Sequence, residues 1–206
     1  MRVPHAEAGA EPRIVETAAR GRLFVWDTPG PIGAPTLVLL HGVTLDAESN
    51  WGAAVPTLAQ SFRVLAPDLR GHGAGPPARA PYRLEDCADD VAALVTTLGT
   101  GPVIVVGYSM GGMIAQTFWR RYPELTAGLV LGATARNVSG SFLEQLTAMT
   151  MPFLVGAVGA IPSIFPLGAD LVGGRLLGDG LDPRIRRTML ARMRRMPLVT
   201  ALAAMQ

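Results

Sequence analysis

Ser109 stands at the centre of Gly107-Tyr108-Ser109-Met110-Gly111, a Gly-x-Ser-x-Gly spacing. Such a serine can attack an acyl carbonyl, provided a base takes its proton. The spacing matters because of where the serine sits. At the tip of a tight strand-to-helix turn, its hydroxyl is held clear of the backbone. Gly107 and Gly111 lack Cβ, so the strand and the helix can approach closely. The N-terminus of the helix that follows favours negative charge, which suits an oxyanion forming beside Ser109.

Elements of the right type flank this turn. Val103 to Val106 are four β-branched apolar residues and read as a buried strand. Met113 to Trp119 continue as a helix, with Met113, Ile114, Thr117 and Phe118 at helical spacing. Upstream, Arg13–Thr17 and Leu23–Asp27 form a predicted hairpin around Ala19-Arg20-Gly21. Thr36–Leu40 is a further buried strand that runs into His41-Gly42-Val43. Asn50 is the expected N-cap of a helix from Trp51 to about Gln60. Phe62–Ala66 is a short strand leading into the loop Pro67-Asp68-Leu69-Arg70-Gly71-His72-Gly73. Leu84–Leu98 has one apolar face and reads as a helix. Leu129–Ala133 is one more strand. Strands alternate with helices, so an α/β fold with a mostly parallel sheet is expected. From Ser141 onward the pattern becomes helical or broken, with no clear strand.

Composition narrows the function. The 206 residues are 49% hydrophobic, enough for a sizeable core. All 18 basic residues are Arg, and the net charge of +2 gives no argument for nucleic acid. A lone Cys87 cannot form an internal disulfide and reads as a packing residue. The N-terminus has no apolar run of the signal-peptide kind, so a cytoplasmic protein is the default expectation. No charge occurs between Glu144 and Asp170. Pro152, Pro162 and Pro166, with Gly156 and Gly159, break that stretch, so no membrane span is expected. Broken apolar helices lining a pocket are the expectation, suited to a small-molecule substrate with an apolar acyl group. The same residues could equally pack onto the core. No metal cluster, P-loop or dinucleotide fingerprint occurs, so no cofactor is implied.

Three motifs in this order, His41-Gly42-Val43, Pro67 to Gly73, and Gly107 to Gly112, resemble those of the α/β-hydrolase superfamily. Trp51 also fits. The resemblance covers residues 13 to 137. It implies that 1–137 is the N-terminal part of an α/β-hydrolase core and 138–206 a partial helical cap. It further implies Ser109 as nucleophile, with the backbone N–H groups of Val43 and Met110 as oxyanion donors. A serine at this position argues against the relatives that use Asp there, haloalkane dehalogenases and epoxide hydrolases. His41 is expected to orient the oxyanion loop, His72 to order its own Gly-rich loop, and Asp68 to stabilise that loop.

In this family the triad runs Ser, then Asp or Glu, then His. Here His5, His41 and His72 all precede Ser109. The later acids, Glu124, Glu144, Asp170, Asp179 and Asp182, follow no recognisable strand. The expectation is therefore an incomplete chain of an esterase-like serine hydrolase, lacking the last core strands, the triad acid and the histidine. As an isolated chain it would be inactive. The alternatives are a non-catalytic binding protein of the same fold and an inactive gene fragment. The motifs do not separate ester hydrolysis from lactone opening, carbon–carbon bond hydrolysis or acyl transfer.

Overall fold

A computed structural model describes residues 9–43, 45–78 and 83–134, together with 187, 190 and 191. The chain divides into two units, Met1–Arg136 and Asn137–Gln206, and every element described here belongs to the first. Apart from 187, 190 and 191, the expected cap over 138–206, with its apolar stretch and the four acids from Glu144 to Asp182, lies outside the described residues.

Among the described residues, six strands form one sheet, in the order β1-β2-β4-β3-β5-β6. The strands are β1 (Glu11–Thr17), β2 (Gly21–Thr28), β3 (Thr36–Leu40), β4 (Arg63–Pro67), β5 (Val103–Tyr108) and β6 (Thr126–Gly132). β1 and β2 form the expected hairpin, and β2 meets β4 antiparallel. The pairs β3–β4, β3–β5 and β5–β6 are all parallel. The mostly parallel α/β sheet read from the sequence is therefore present. All five residues of β3 are buried, as a parallel strand covered on both faces requires.

Among the described residues, four α-helices pack on the sheet: α1 (Ala47–Trp51), α2 (Val55–Leu58), α3 (Leu84–Thr97) and α4 (Met110–Arg121). Alternate residues of a strand face opposite sides. Leu37 and Leu39 join Ala47, Val55, Val64 and Ala66 in one core cluster under α1 and α2. The opposite face carries α4, which packs on β3, β5 and β6, while α3 packs against α4. Phe118 and Ile114 of α4 and Leu94 of α3 are almost fully buried. α3 starts where Asp86, at its third position, accepts the Arg83 N–H at 3.0 Å. It was expected to run to Leu98 and ends one residue earlier.

One helix start differs from expectation. Asp46, not Asn50, is the N-cap: its carboxylate accepts the Ser49 N–H at 2.8 Å, and the Ser49 hydroxyl answers on the Asp46 N–H at 3.0 Å. The helix then lasts five residues, and a second short one follows with Pro56 in its first turn. The single helix over Trp51–Gln60 does not form.

Three buried carboxylates tie distant segments together. Asp27 accepts from Arg13 at 2.5 Å and from Arg63 at 2.8 Å, joining β1, β2 and β4. Burial alone would raise its pKa, but the two guanidinium groups outweigh burial and hold it below the usual carboxylate range. Asp90 of α3 accepts from Arg20 at 2.6 Å and from Arg70 at 2.8 and 3.0 Å. Asp68 accepts the Ala47 N–H and the Ala74 N–H, both at 2.8 Å. No helix among the described residues is long and apolar enough to cross a membrane.

Glycine spacing sets how closely α4 can lie on the sheet. A Cβ at Gly111 would come under 3.0 Å from the Leu40 and His41 carbonyl oxygens, and one at Gly107 under 3.0 Å from the Gly111 backbone. Both obstacles are backbone and cannot turn aside. Gly107→Ala and Gly111→Ala are each expected to cost about 1–3 kcal/mol, in the range of overpacked sites. Urea unfolding midpoints measure this, and wild-type midpoints in both variants would refute the close-approach argument.

Candidate active site

The turn from β5 into α4 has an unusual backbone. Ser109 sits at φ 52° and ψ −118°, a region that costs a non-glycine residue on the order of 1–3 kcal/mol. Surrounding hydrogen bonds hold it there. Its N–H donates to the Gly132 carbonyl at 3.0 Å, and its carbonyl accepts from the Gly112 N–H at 2.9 Å. The Thr134 hydroxyl donates to the same carbonyl at 2.8 Å. Ser109 is half-buried, whereas Met110 beside it is buried. As the first residue of α4, Met110 has no helical acceptor for its N–H.

His41-Gly42-Val43 meets this turn. A Cβ built on Gly42 would stand 3.4 Å from the Ser109 Cβ and 3.0 Å from the Tyr108 ring. The fold thus brings together the two motifs that contain Ser109, Met110 and Val43. Gly42 is fixed at both ends. Its N–H donates to Asn50 Oδ1 at 2.9 Å, and its carbonyl lies 2.8 Å from His41 Nδ1. A carbonyl only accepts, so Nδ1 carries the His41 proton. His41 Nε2 is then free to accept, and it takes the Leu69 N–H at 3.0 Å. One ring therefore binds the Gly42 loop to the loop that follows β4.

His72 lies edge-on to His41, with ring centroids 5.1 Å apart. Its Nδ1 is 3.0 Å from the Arg70 carbonyl, and its buried Nε2 has no partner among the described residues. A proton on that nitrogen would be a buried donor without an acceptor. Burial, first, and the neighbouring His72, second, push the His41 pKa down to about 3; the Gly42 carbonyl and Asp46 pull weakly the other way. His72 is lowered too, chiefly by burial. Cys87, the other nucleophilic type, is buried, and burial pushes its thiol up to about 12. It is inert at neutral pH.

Two residues of this arrangement escaped the sequence reading. Asn50 was expected to cap a helix and instead holds the Gly42 N–H. The signal for the true cap was present in Asp46-Ala47-Glu48-Ser49, an acidic cap with a hydroxyl three residues on. Thr134 follows a strand with no motif around it, and nothing in the sequence singled it out.

A buried neutral histidine makes stability depend on pH. Unfolded, His41 titrates near 6.5; folded, near 3. Above pH 6.5 both states are neutral there and nothing is lost. As pH falls from 6.5 towards 3, the unfolded chain binds a proton that the folded one refuses. His41 alone should therefore remove about 2 kcal/mol of stability between pH 7 and pH 5, and His72 adds to this with the same sign. Urea unfolding at the two pH values tests it. His41→Asn should lower stability at pH 7 and flatten the dependence; an undiminished slope would exclude His41 as its source.

Residues 35–159 match a family model described as alpha/beta hydrolase fold. A dihydrolipoyllysine-residue acetyltransferase component of an acetoin cleaving system, from Pseudomonas putida, is 33% identical over 203 residues, 90% of this chain and 53% of that protein. Lipase LipV of Mycobacterium tuberculosis is 36% identical over 117 residues, 57% of this chain and 44% of that protein. A thermophilic esterase from Thermogutta terrifontis superposes with a TM-score of 0.75 at 26% identity, covering 95% of this chain and 71% of that one. The chain spans about half, or less, of the length of the curated relatives it matches. A family match over more than half of the residues joins a sheet of the same architecture and a serine turn built on close glycine contacts, and this chain belongs to the α/β-hydrolase-fold family.

Proposed function

We propose that the protein is a serine hydrolase that cleaves an ester or related acyl bond of a small-molecule substrate, with Ser109 as nucleophile. One observation carries this reading: Ser109 is held at positive φ beside Gly42, with both of its backbone groups hydrogen-bonded. Backbone strain of this kind persists only where surrounding structure enforces it, and it clusters at functional sites. In the proposed reaction a base takes the Ser109 proton, and Oγ attacks the acyl carbon. The carbonyl oxygen gains negative charge and is met by the N–H groups of Met110 and Val43. Donors of this type are worth a few kcal/mol of barrier each. Collapse expels the alcohol, which takes the proton, and water then releases the acid.

His41 is unsuited to be the base, because both of its ring nitrogens are committed. His72 keeps one unpartnered nitrogen but is buried. With one ring committed and the other buried, neither described histidine is an exposed base, which favours a second reading, a non-catalytic binder of the same fold. The names of the lipase and esterase relatives support hydrolysis.

A fluorophosphonate probe separates the two readings. Applied to the protein expressed from its whole reading frame, it should label Ser109, and Ser109→Ala should abolish the labelling. Labelling that persists in Ser109→Ala, or none in the wild type, would remove Ser109 as nucleophile and leave the binding reading.

Assayed as residues 1–206 alone, the chain is expected to hydrolyse p-nitrophenyl butyrate only at the residual rate that binding and an oxyanion hole give without a base, about 10³–10⁴ over water. Fast, saturable turnover that depends on Ser109 would contradict this, and its loss in His72→Ala would then identify His72 as the base.

A further inference from the structure

Among the described residues only two other than glycine have positive φ, Ser109 and Ala133. They lie at the two ends of one contact. β6 ends at Gly132, and Ala133, at φ 46°, turns the chain out of the strand. That turn brings Thr134 over the Ser109 turn, where its hydroxyl donates to the Ser109 carbonyl at 2.8 Å. The fit is close: a Cβ on Gly112 would strike the Thr134 side chain under 3.0 Å.

The Ser109 carbonyl and the Met110 N–H belong to one peptide unit. That unit is planar and trans, so the two groups point in opposite directions. Whatever holds the carbonyl therefore aims the N–H. A hydrogen bond to the carbonyl also polarises the peptide and makes its N–H a stronger donor. The same relation holds across the site. The Gly42 carbonyl and the Val43 N–H share a peptide, and His41 Nδ1–H holds that carbonyl at 2.8 Å.

We propose that Thr134 is a positioning residue for the oxyanion hole: by donating to the Ser109 carbonyl, beside the helical Gly112 N–H, it completes the hold on the Ser109–Met110 peptide and with it the direction of the Met110 N–H. His41 does the same for the Val43 N–H from the other side. Each proposed donor is thus set from behind by one side-chain hydrogen bond to its own peptide. The inference rests on the reading of Ser109 as nucleophile.

Thr134 is the better residue to test, since His41 is fully buried and its loss would disturb two loops. Thr134→Val keeps the shape and removes the donor; Thr134→Ser keeps the donor and removes the methyl group. The rate of Ser109 phosphonylation by a fluorophosphonate is measured on each, in protein from the whole reading frame. Amide exchange across β5 and α4 confirms the fold. Thr134→Val should react about ten-fold more slowly, less than the loss of a whole donor, and Thr134→Ser at the wild-type rate. On an activated ester the loss should appear in kcat, with KM unchanged. Should Thr134→Val fail to fold, Thr134→Ala against Thr134→Ser gives the same comparison. A wild-type rate without the hydroxyl, or equal slowing in Thr134→Ser, overturns the inference while leaving Ser109 as nucleophile. If the wild-type protein is not labelled at all, the nucleophile itself falls and the positioning role falls with it.

Discussion

A single backbone torsion makes heavy demands on the rest of the fold. An L-residue at positive φ crowds its own Cβ against the backbone, and it relaxes unless its neighbours forbid it. At Ser109 they do. The N–H is held by the end of β6, the carbonyl by the first turn of α4 and by Thr134. α4 can lie close enough to impose this only because Gly107, Gly111 and Gly112 present no side chain where neighbouring atoms already stand. The helix in turn needs an apolar face to keep it on the sheet, which Ile114, Ala115 and Phe118 supply. Core packing, glycine placement and strain are linked in that order.

The loops around this turn are tied down by buried polar groups as well as by buried Leu45 and Leu69. Asp68 collects N–H groups from α1 and from its own loop, and Asp90 binds two arginines from different segments. A buried carboxylate without partners is costly, so each of these selects the loop arrangement that satisfies it. His41 follows the same logic without charge. It can accept from Leu69 only while neutral, and burial keeps it so. Charge at that ring would leave two donors facing each other.

Much of this was legible from residue order. Periodicity found the six strands and two long helices of the described residues, because a buried strand and an amphipathic helix impress their repeat on the sequence. The β3 range matched at both ends, while Val103–Val106 fell two residues short of β5. Tyr108 is exposed at the end of that strand and carries no burial signal. The Gly-x-Ser-x-Gly spacing located the strained turn, since only a tight turn needs glycine on both sides. What the sequence did not reveal was pairing at a distance. Asn50 looked like a cap because its type suits one, yet its amide is used by Gly42. Thr134 looked like nothing, because a threonine after a strand is common and its role depends on a turn at Ala133. Side-chain hydrogen bonds between segments far apart leave no period to detect.

Beyond the first turn of α4, the contacts that hold the Ser109 backbone come from Gly132 at the end of β6 and from Thr134, a segment that meets β5 only when the sheet is assembled. Both lie well after the turn in sequence, while Leu40 and His41, whose carbonyls crowd Gly111, lie far before it. No local stretch around Ser109 can therefore build the strained geometry by itself. In a nascent or partly unfolded chain this residue is an ordinary relaxed serine, with flexible backbone amides open to water. Its special geometry forms only with that long-range pairing and is lost where the pairing opens. The torsion at residue 109 is thus a local readout of sheet assembly at β5 and β6.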